Sequence, residues 1–518
     1  MRIAAIAILL AGCFTDSPPP PPPPPSGPAV VATAAGAVRG RIEGDVAVWR
    51  GIPYAAPPVG ELRWREPQPV PAWDGVRDAA SFSSTCVQIS TSNALEDGGE
   101  DCLYLNVWAP ATTAGALPVL VFIHGGFALN GSASHVALGT RFYDGAHVAA
   151  AGPAVVVTIN YRLGAFGYFT SSALAAESTT HASGDYAVRD MIAALAWVQA
   201  NIAGFGGDPA HVLVYGESAG GSATCQLFAS PRAAGLFSAA LIESGGCGAK
   251  SATRADALSQ SMVHALGCDA APDALACLRA APADAVAIAA PIDLTQSSNR
   301  WGASVDGDVL PTDPLTAIRA GQHNHLPLVI GNTTNEFSTL IAHFLAAPIT
   351  TDADYRAQLA RFFGAANVDA VAARYPSASF PTPQQALIAA TSDAEMVCPS
   401  RVIARAAVAS QTEPVRRYMF AHTYESGPER VFGAGHALDL PFEFGNLGMT
   451  GFAASPGERA LADAIIGYWT RFAATGDPNG AGIAWQAYDA TDPAIVLDDT
   501  IAVQTGVQTA QCDFWDSL

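Results

Sequence analysis

The sequence predicts an α/β protein whose central, mostly parallel β-sheet is flanked by helices. Half of the 518 residues are apolar and only 14% are charged, which is typical of a globular chain. Short apolar runs alternate with longer helical stretches, and the runs have no polar face. Strands of this kind are typical of parallel sheets that helices cover on both sides.

The first twelve residues resemble an export signal. Arg2 supplies a positive charge, an apolar run follows it, and Leu-Ala-Gly-Cys at residues 10–13 resembles the bacterial lipoprotein box. In that class of signals the cysteine is lipidated and becomes the first mature residue. We therefore expect residues 1–12 to be a lipoprotein-type signal peptide and Cys13 to carry a lipid anchor. An ordinary secretory signal is the alternative, and the apolar run is too short to span a bilayer.

A proline tract separates this signal from the rest of the chain. Residues 18–25 are all proline, and proline fixes φ and lacks an amide donor, so the tract should be an extended spacer. At about 3.1 Å per residue it would be roughly 25 Å long. We predict that residues 13–28 form a proline-rich tether and that residues 29–518 form one large domain.

Charge and lysine content exclude several functions. A formal net charge of −20 argues against nucleic-acid binding, which needs a cationic surface. Lys250 is the only lysine, and Ala249 precedes it, so the chain lacks the Gly-Lys pair of a phosphate-binding P-loop. Esterases of the penicillin-binding type need Ser-x-x-Lys, but Cys247 stands at the serine position.

Four apolar runs mark the predicted central strands, at residues 119–123, 155–159, 212–215 and 326–330. Residues 186–202 form a plausible helix between two of them, and a glycine-rich stretch at 204–207 ends it. In such sheets, functional sites lie at the carboxyl ends of the strands.

The third run leads into Gly-x-Ser-x-Gly at residues 216–220, and a helix-like run follows at 222–228. Strand, sharp turn and helix in this order form a nucleophile elbow, which lifts the hydroxyl of Ser218 above the sheet. Side chains at Gly216 or Gly220 would collide with the neighbouring strand or helix. We therefore expect Ser218 to be a nucleophile at the amino end of a helix, where backbone amides stabilise negative charge.

A second glycine motif follows the first run. His-Gly-Gly at residues 124–126 is placed as the oxyanion-hole loop of esterases is placed. We expect the amides of Gly125, Gly126 and Ala219 to point at one developing oxyanion. His124 is expected to shape this loop rather than to transfer protons.

These motifs resemble those of the type-B carboxylesterase and cholinesterase family, here as a bacterial lipoprotein-type member. Phe-Gly-Gly at 205–207 followed by residues 212–220 resembles its serine signature, and residues 100–110 resemble its second signature. Family-like blocks also occur at 51–55, 160–164 and 305–307. The resemblance covers residues 38–518. It implies the α/β-hydrolase fold with large cap-like insertions, and a serine hydrolase that cleaves carboxylic esters.

The same resemblance implies the partners of the nucleophile. A serine needs a base that is oriented by a carboxylate, and the order in this fold is Ser, acid, His. The segment at 328–337 resembles the one that carries the acid, which falls on Glu336, and residues 433–442 resemble the one that carries the base, His436. Ala437 departs from the family, in which many members have glycine after this histidine, so the shape of that loop is in question.

Other titratable residues are weaker candidates for these roles. Asp306 could be the acid, but its block resembles a non-catalytic family segment. His343 and His422 lie in apolar-rich surroundings and are expected to be structural or surface histidines. Asp439 and Glu443 are expected to shape the loop of the base. Glu217, next to the nucleophile, is expected to be buried and to tune the site electrostatically.

The nine cysteines predict disulfides rather than a metal site. With Cys13 lipidated, eight remain, an even number suited to an oxidising compartment, and no Cys-x-x-Cys spacing occurs. The family resemblance suggests three pairs and leaves a fourth candidate pair. In order these are Cys86–Cys102, Cys268–Cys277, Cys398–Cys512, and then Cys225–Cys247.

Two classes of function remain after these steps. The first is a serine ester hydrolase, either a carboxylesterase of short or aromatic esters or a lipase that acts on longer acyl glycerides. The second is a non-catalytic adhesion or binding protein of the same fold, which is disfavoured because Ser218, Glu336 and His436 are all present. We expect a small-molecule ester as substrate and no metal or organic cofactor. The protein is expected to be exported, to the cell envelope or outside the cell, and to contact a membrane only through its anchor.

Overall fold

A thirteen-stranded β-sheet runs through the described part of the computed structural model, which covers residues 28–90, 94–112, 115–290, 301–345, 347–480 and 483–518. The predicted signal peptide, Cys13 and all of the tether except Pro28 lie outside the described residues. No helix in the described ranges has both the length and the apolar character that a membrane crossing needs.

The strands are β1 (Pro28–Ala32), β2 (Ala37–Glu43), β3 (Val46–Pro53), β4 (Val76–Asp78), β5 (Gln88–Ile89), β6 (Leu95–Glu96), β7 (Tyr104–Pro110), β8 (Leu117–Ile123), β9 (Val136–Ala137), β10 (Thr140–Arg141), β11 (Val155–Ile159), β12 (Gly207–Glu217), β13 (Ala239–Glu243), β14 (Leu328–Thr333), β15 (Val415–Phe420), β16 (Pro493–Leu497) and β17 (Ala502–Thr505).

The helices are α1 (Ala146–Ala151), α2 (Gly164–Tyr168), α3 (Ser172–Glu177), α4 (Tyr186–Asn201), α5 (Ala219–Ala229), α6 (Ala252–Ala265), α7 (Ala274–Ala280), α8 (Ala283–Ala289), α9 (Pro314–Arg319), α10 (Phe337–Leu340), α11 (Asp352–Phe363), α12 (Val368–Arg374), α13 (Pro383–Ser392), α14 (Cys398–Ser410), α15 (Leu440–Glu443), α16 (Pro456–Thr475) and α17 (Thr509–Trp515).

The strand order in the sheet is β1-β2-β3-β7-β11-β8-β12-β13-β14-β15-β16-β17, and β4 pairs with β2. In this order, every neighbouring pair between β11 and β16 is parallel. The pairs that precede them, from β1 to β11, are antiparallel, and so is the last pair, β16 with β17. The carboxyl ends of the parallel strands therefore meet at one edge of the sheet, where the predicted site residues follow their strands.

Helices bury both faces of this sheet, which explains why the central strands have no polar side. Along β12, Val212 and Val214 pack into the core on one face, and Leu213 and Tyr215 pack into the core on the other. All four side chains are at most 1% exposed. The period-2 alternation of a strand thus places every residue of this run in an apolar environment.

Each predicted strand and helix is present, with shifts at its ends. The run at 155–159 coincides with β11, and the run at 119–123 is the end of β8. The run at 212–215 is the middle of the longer β12, and the run at 326–330 overlaps β14, which begins two residues later. The helix predicted at 186–202 is α4, which ends at Asn201.

Long helical insertions separate the later strands, as the resemblance implied. Residues 244–327 lie between β13 and β14 and contain α6 to α9, and residues 334–414 lie between β14 and β15 and contain α10 to α14. The four expected disulfides are all present in the described residues. They join Cys86 to Cys102, Cys225 to Cys247, Cys268 to Cys277 and Cys398 to Cys512.

Candidate active site

Ser218 lies on a sharp turn between β12 and α5, with φ of 60° and ψ of −119°. A positive φ is uncommon for residues other than glycine and marks a strained position. A Cβ atom at Gly216 would lie 2.5 Å from the Ile123 carbonyl oxygen, and one at Gly220 would lie 1.9 Å from the same atom. The turn therefore requires glycine on both sides. The Ser218 amide donates to the carbonyl of Glu243 (2.9 Å), which ties the turn to the next strand.

The His-Gly-Gly loop lies directly against this turn. A Cβ atom at Gly125 would lie 2.9 Å from the Cβ of Ser218, and one at Gly126, where φ is 102°, would lie 2.2 Å from the Asn130 carbonyl oxygen. Both positions therefore require glycine. The loop of the predicted oxyanion donors is thus within van der Waals reach of the predicted nucleophile.

His124 holds this loop from behind. Its ring is stacked on Tyr161 with 4.5 Å between ring centroids, and the Tyr161 hydroxyl donates to the His124 carbonyl (2.7 Å). Burial lowers the pKa of His124 to about 4, so the ring is neutral near pH 7. Its Nδ1 lies 2.8 Å from the carbonyl oxygen of Gly125 and must donate, because that oxygen can only accept. These contacts fit a structural role for His124.

His436 and Glu336 form a short contact beside the turn. His436 Nδ1 lies 2.5 Å from Glu336 Oε2. The other carboxylate oxygen, Oε1, accepts from the Ser244 hydroxyl (2.6 Å) and from the Thr333 amide (2.8 Å). Glu336 is fully buried, and His436 is 7% exposed. The carboxylate is therefore fixed by three donors, and one of them is the imidazole that it orients.

The second ring nitrogen of His436 lies on the side of the nucleophile turn. Nε2 is 3.1 Å from Oε1 of Glu217, the residue before Ser218, but this contact lacks the alignment of a hydrogen bond. Among the described residues, no hydrogen bond joins the Ser218 hydroxyl to His436. Such catalytic contacts are often long in a free enzyme and tighten when substrate binds.

Buried carboxylates surround the imidazole and shift its titration. Burial disfavours the imidazolium of His436, but the charges of Glu217 and Glu336 outweigh burial and raise its pKa to about 9. Burial also raises the pKa of Glu217 to about 8, and it raises that of Asp439 to about 7. These shifts are linked, because a protonated Glu217 no longer stabilises the imidazolium. Glu217 is therefore buried, as expected, and placed to tune the base.

The nucleophile turn opens into a cavity of about 620 Å³. Apolar side chains form one wall of this cavity. They are those of Phe127, Ala128, Tyr168, Trp301, Met396 and Ala219, the residue after Ser218. Polar side chains also line this cavity, among them Ser222, Gln226 and Ser244, and a concave site that combines apolar walls with placed polar groups is typical of small-molecule binding. The volume suits a small ester, and the wall suits its apolar groups.

The rival titratable groups lie in other contacts. Asp306 is 3.1 Å from Arg189 and accepts two backbone amides, so it forms part of a buried ion pair. His422 lies between Asp499 (2.8 Å) and Glu458 (3.3 Å). His343 is near Phe127, with 6.3 Å between ring centroids. Neither Asp306 nor His422 forms a hydrogen bond or ion pair with Ser218 or His436 among the described residues, and His343 is not part of the described lining of the cavity at Ser218.

Two residues that donate hydrogen bonds to Glu336 were not predicted from the sequence. Ser244 directly follows β13, and Thr333 ends β14. The strand at 239–243 was not among the predicted runs, although its apolar sequence is similar to theirs. A polar residue at the carboxyl end of that strand was the available signal for Ser244.

Comparisons with known proteins identify the family of the chain. The profile described as "Carboxylesterase family" matches residues 27–515. Para-nitrobenzyl esterase of Bacillus subtilis (strain 168) is 35% identical over 497 residues, which cover 92% of this chain and 96% of that protein. Fumonisin B1 esterase of Sphingopyxis macrogoltabida is 35% identical (88% and 84% covered), and human carboxylesterase 5A is 33% identical (91% and 85% covered).

Solved structures give the same result. A PNB esterase structure superposes with a TM-score of 0.80 at 33% identity and covers 94% of this chain and 99% of that one. A Geobacillus stearothermophilus carboxylesterase superposes with a TM-score of 0.80 at 34% identity, with 94% and 100% covered. The predicted α/β-hydrolase fold is confirmed, as is the predicted ester-hydrolysing activity, and the lipase alternative is not favoured. The chain belongs to the carboxylesterase family.

Proposed function

We propose that Ser218, His436 and Glu336 are the catalytic triad of this carboxylesterase, and that the amides of Gly125, Gly126 and Ala219 form its oxyanion hole. The observation that carries this proposal is the 2.5 Å contact between His436 and Glu336, beside a strained turn that presents Ser218 to the cavity. Along the chain, the nucleophile comes first, then the acid and then the base, which is the order found in the α/β-hydrolases.

Acylation begins when His436 Nε2 takes the proton of Ser218 and the oxygen attacks the ester carbonyl carbon. The carbonyl π electrons move to its oxygen, and the proposed amide donors stabilise the resulting oxyanion. The tetrahedral intermediate collapses, the ester C–O bond breaks, and the proton on His436 passes to the leaving alcohol. The acyl group is then covalently bound to Ser218.

Deacylation repeats these steps with water. His436 takes a proton from the water, whose oxygen attacks the acyl carbon, and collapse releases the carboxylic acid and returns a proton to Ser218. Glu336 accepts from Nδ1 and so holds the tautomer in which Nε2 can accept, and its carboxylate stabilises the imidazolium.

A series of 4-nitrophenyl esters with acyl chains of two to twelve carbons tests this proposal. We expect turnover of the short-chain esters, since a cavity of about 620 Å³ has room for the nitrophenyl group and a short acyl chain. Absence of turnover for every ester by folded protein would contradict the proposal. A maximum at the longest chain would instead support the lipase alternative.

Choline esters are expected to be poor substrates. A quaternary ammonium is recognised by an aromatic face, and in cholinesterases a principal aromatic lies in the loop closed by the first disulfide. Here that loop runs from Cys86 to Cys102, and its sequence contains no Trp, Tyr or Phe. The missing contact corresponds to about 1–2 kcal/mol, or roughly tenfold in specificity.

The matched comparison uses acetylcholine and 3,3-dimethylbutyl acetate, which has the same shape without the charge. We expect similar kcat/KM values for the two esters at 0.5 M salt, where long-range attraction by the acidic protein is screened. A large preference for acetylcholine under those conditions would show that aromatic residues outside this loop form an ammonium site.

We also propose that the protein is exported and anchored through a lipid on Cys13. Four disulfides suit an oxidising compartment, and the Leu-Ala-Gly-Cys sequence precedes a proline tether. The full chain, expressed with export, should enter the detergent phase on phase partitioning. Stable anchoring needs several acyl chains. Cys13→Ser removes the residue that would carry them, so this variant should move to the aqueous phase. An intact mass that shows Cys13 without acyl groups in native membranes would contradict the anchor.

A further inference from the structure

The cavity of Ser218 has a cationic side that ester hydrolysis itself does not need. Lys250 and Arg254 are part of its lining, together with Ser251. Lys250 is the only lysine among 518 residues, in a chain whose net charge is −20. Glu395 is the one acidic side chain in the described lining of this cavity.

The segment that carries Lys250 is fixed against the nucleophile helix. It begins at Ser244 after β13, and a Cβ atom at Gly245 would lie 2.5 Å from the Ser222 nitrogen in the first turn of α5. The Gly246 amide donates to the Ser222 hydroxyl (3.0 Å). The disulfide between Cys225 and Cys247 joins the same helix to the same segment.

The Lys250 backbone is held from the opposite side as well. Its amide donates to the Ala303 carbonyl (2.9 Å), and its carbonyl accepts from the Val305 amide (2.8 Å). The ammonium lies at the cavity wall near Gly302, where a Cβ atom would be 3.3 Å from Nζ. The position of the Lys250 backbone relative to helix α5 is therefore fixed by two sets of contacts.

Arg254 is positioned by the start of helix α6. Ser251 is the N-cap of this helix and accepts from the Arg254 amide (3.3 Å). The side chain of Arg254 is exposed and therefore accessible from the mouth of the cavity. Ammonium and guanidinium groups are the preferred protein donors to carboxylates.

We propose that Lys250 and Arg254 bind a carboxylate on the substrate, so that this enzyme prefers esters carrying a free carboxylate apart from the reacting ester group. This inference rests on the proposed function of Ser218, because it concerns the same cavity. The overall charge of the protein repels anions, so a preference for them needs local cations within the site. A neutral ester would lack the contact with these cations and would bind mainly through the apolar wall.

The test compares an anionic ester with a neutral ester of the same shape. On the acyl side, the pair is mono-4-nitrophenyl adipate and its terminal amide, whose chain is long enough to avoid anhydride formation. On the alcohol side, the pair is 4-acetoxybenzoate and 4-acetoxybenzamide. The readout is the ratio of the two kcat/KM values within each pair, and the pair that responds shows which part of the ester faces the cations.

Lys250→Met and Arg254→Gln should each lower the anionic-to-neutral ratio about tenfold in one of the pairs, because each removes a charged donor. The double variant should lower it further. Arg319→Gln removes an exposed charge at the end of α9 and serves as the matched control, with an unchanged ratio. The decrease should persist at 0.5 M salt, since direct contacts are screened less than long-range fields.

A ratio that is the same in wild type, both single variants and the double variant, in both pairs, would overturn the proposal. Turnover of the neutral esters separates this result from failure of the proposed function. If the variants hydrolyse the neutral esters but their ratios do not change, only the carboxylate site is wrong. If folded wild-type protein hydrolyses none of the four esters, the proposed catalytic function is wrong as well.

Discussion

Replacing Ser218 with alanine is expected to lower kcat for 4-nitrophenyl butyrate by about 10⁵- to 10⁶-fold. The acyl-enzyme cannot form without the hydroxyl, so only weak catalysis by the oxyanion donors and by substrate binding would remain. Because Ser218 is only partly buried and alanine is smaller, the fold should be retained. Stopped-flow and steady-state kinetics measure the change, and circular dichroism checks the fold.

Ser222→Ala is the matched control for this experiment. Ser222 lies one turn along α5, lines the same cavity and accepts a hydrogen bond from the Gly246 amide. Its loss should reduce kcat/KM by about tenfold or less, since a net hydrogen bond contributes about 1 kcal/mol. A similar loss in both variants would indicate a damaged cavity rather than a missing nucleophile.

Replacing His436 with alanine is expected to lower kcat about as strongly as replacing Ser218, because nucleophile and base act as one unit.

Glu336→Gln should lower kcat less, by about 10³- to 10⁴-fold. The glutamine oxygen can still accept from Ser244 and Thr333. Its NH₂ group then faces Nδ1 and can only donate, so the ring adopts the tautomer in which Nε2 carries a proton and cannot act as base.

Asp306→Asn is the control for the acid, because Asp306 is the rival carboxylate. It is ion-paired with Arg189, and breaking a buried pair is expected to lower the free energy of unfolding rather than kcat. Thermal unfolding and kcat are therefore measured together for both variants. A loss of kcat in Asp306→Asn as large as that in Glu336→Gln would contradict the assignment of the acid.

The sequence was most informative where local sterics decide the structure. The glycines at 216 and 220 have no space for a side chain, so the turn is recognisable from the motif and the adjoining apolar run alone. The same holds for Gly125 and Gly126. The presence of strands β8, β11 and β12 also follows from short-range patterns of apolar residues and turns.

Residues that reach the site through long-range packing could not be predicted in this way. Ser244 contacts Glu336 across 92 positions of sequence. Lys250 lies in the cavity because its segment is held between helix α5 and residues 303–305, which depends on how the whole insertion at 244–327 folds. The approach of Glu217 to His436 likewise depends on two strands meeting at one edge of the sheet.

The most direct test of the central assignment is covalent labelling of the nucleophile. Purified enzyme is treated with an ester-like organophosphonate, and intact mass followed by peptic digestion and tandem mass spectrometry locates the adduct. The assignment predicts one adduct per chain, on Ser218, in proportion to the loss of ester turnover, and no adduct in Ser218→Ala. Complete inhibition with the adduct on another residue, or near wild-type turnover by Ser218→Ala, would contradict it.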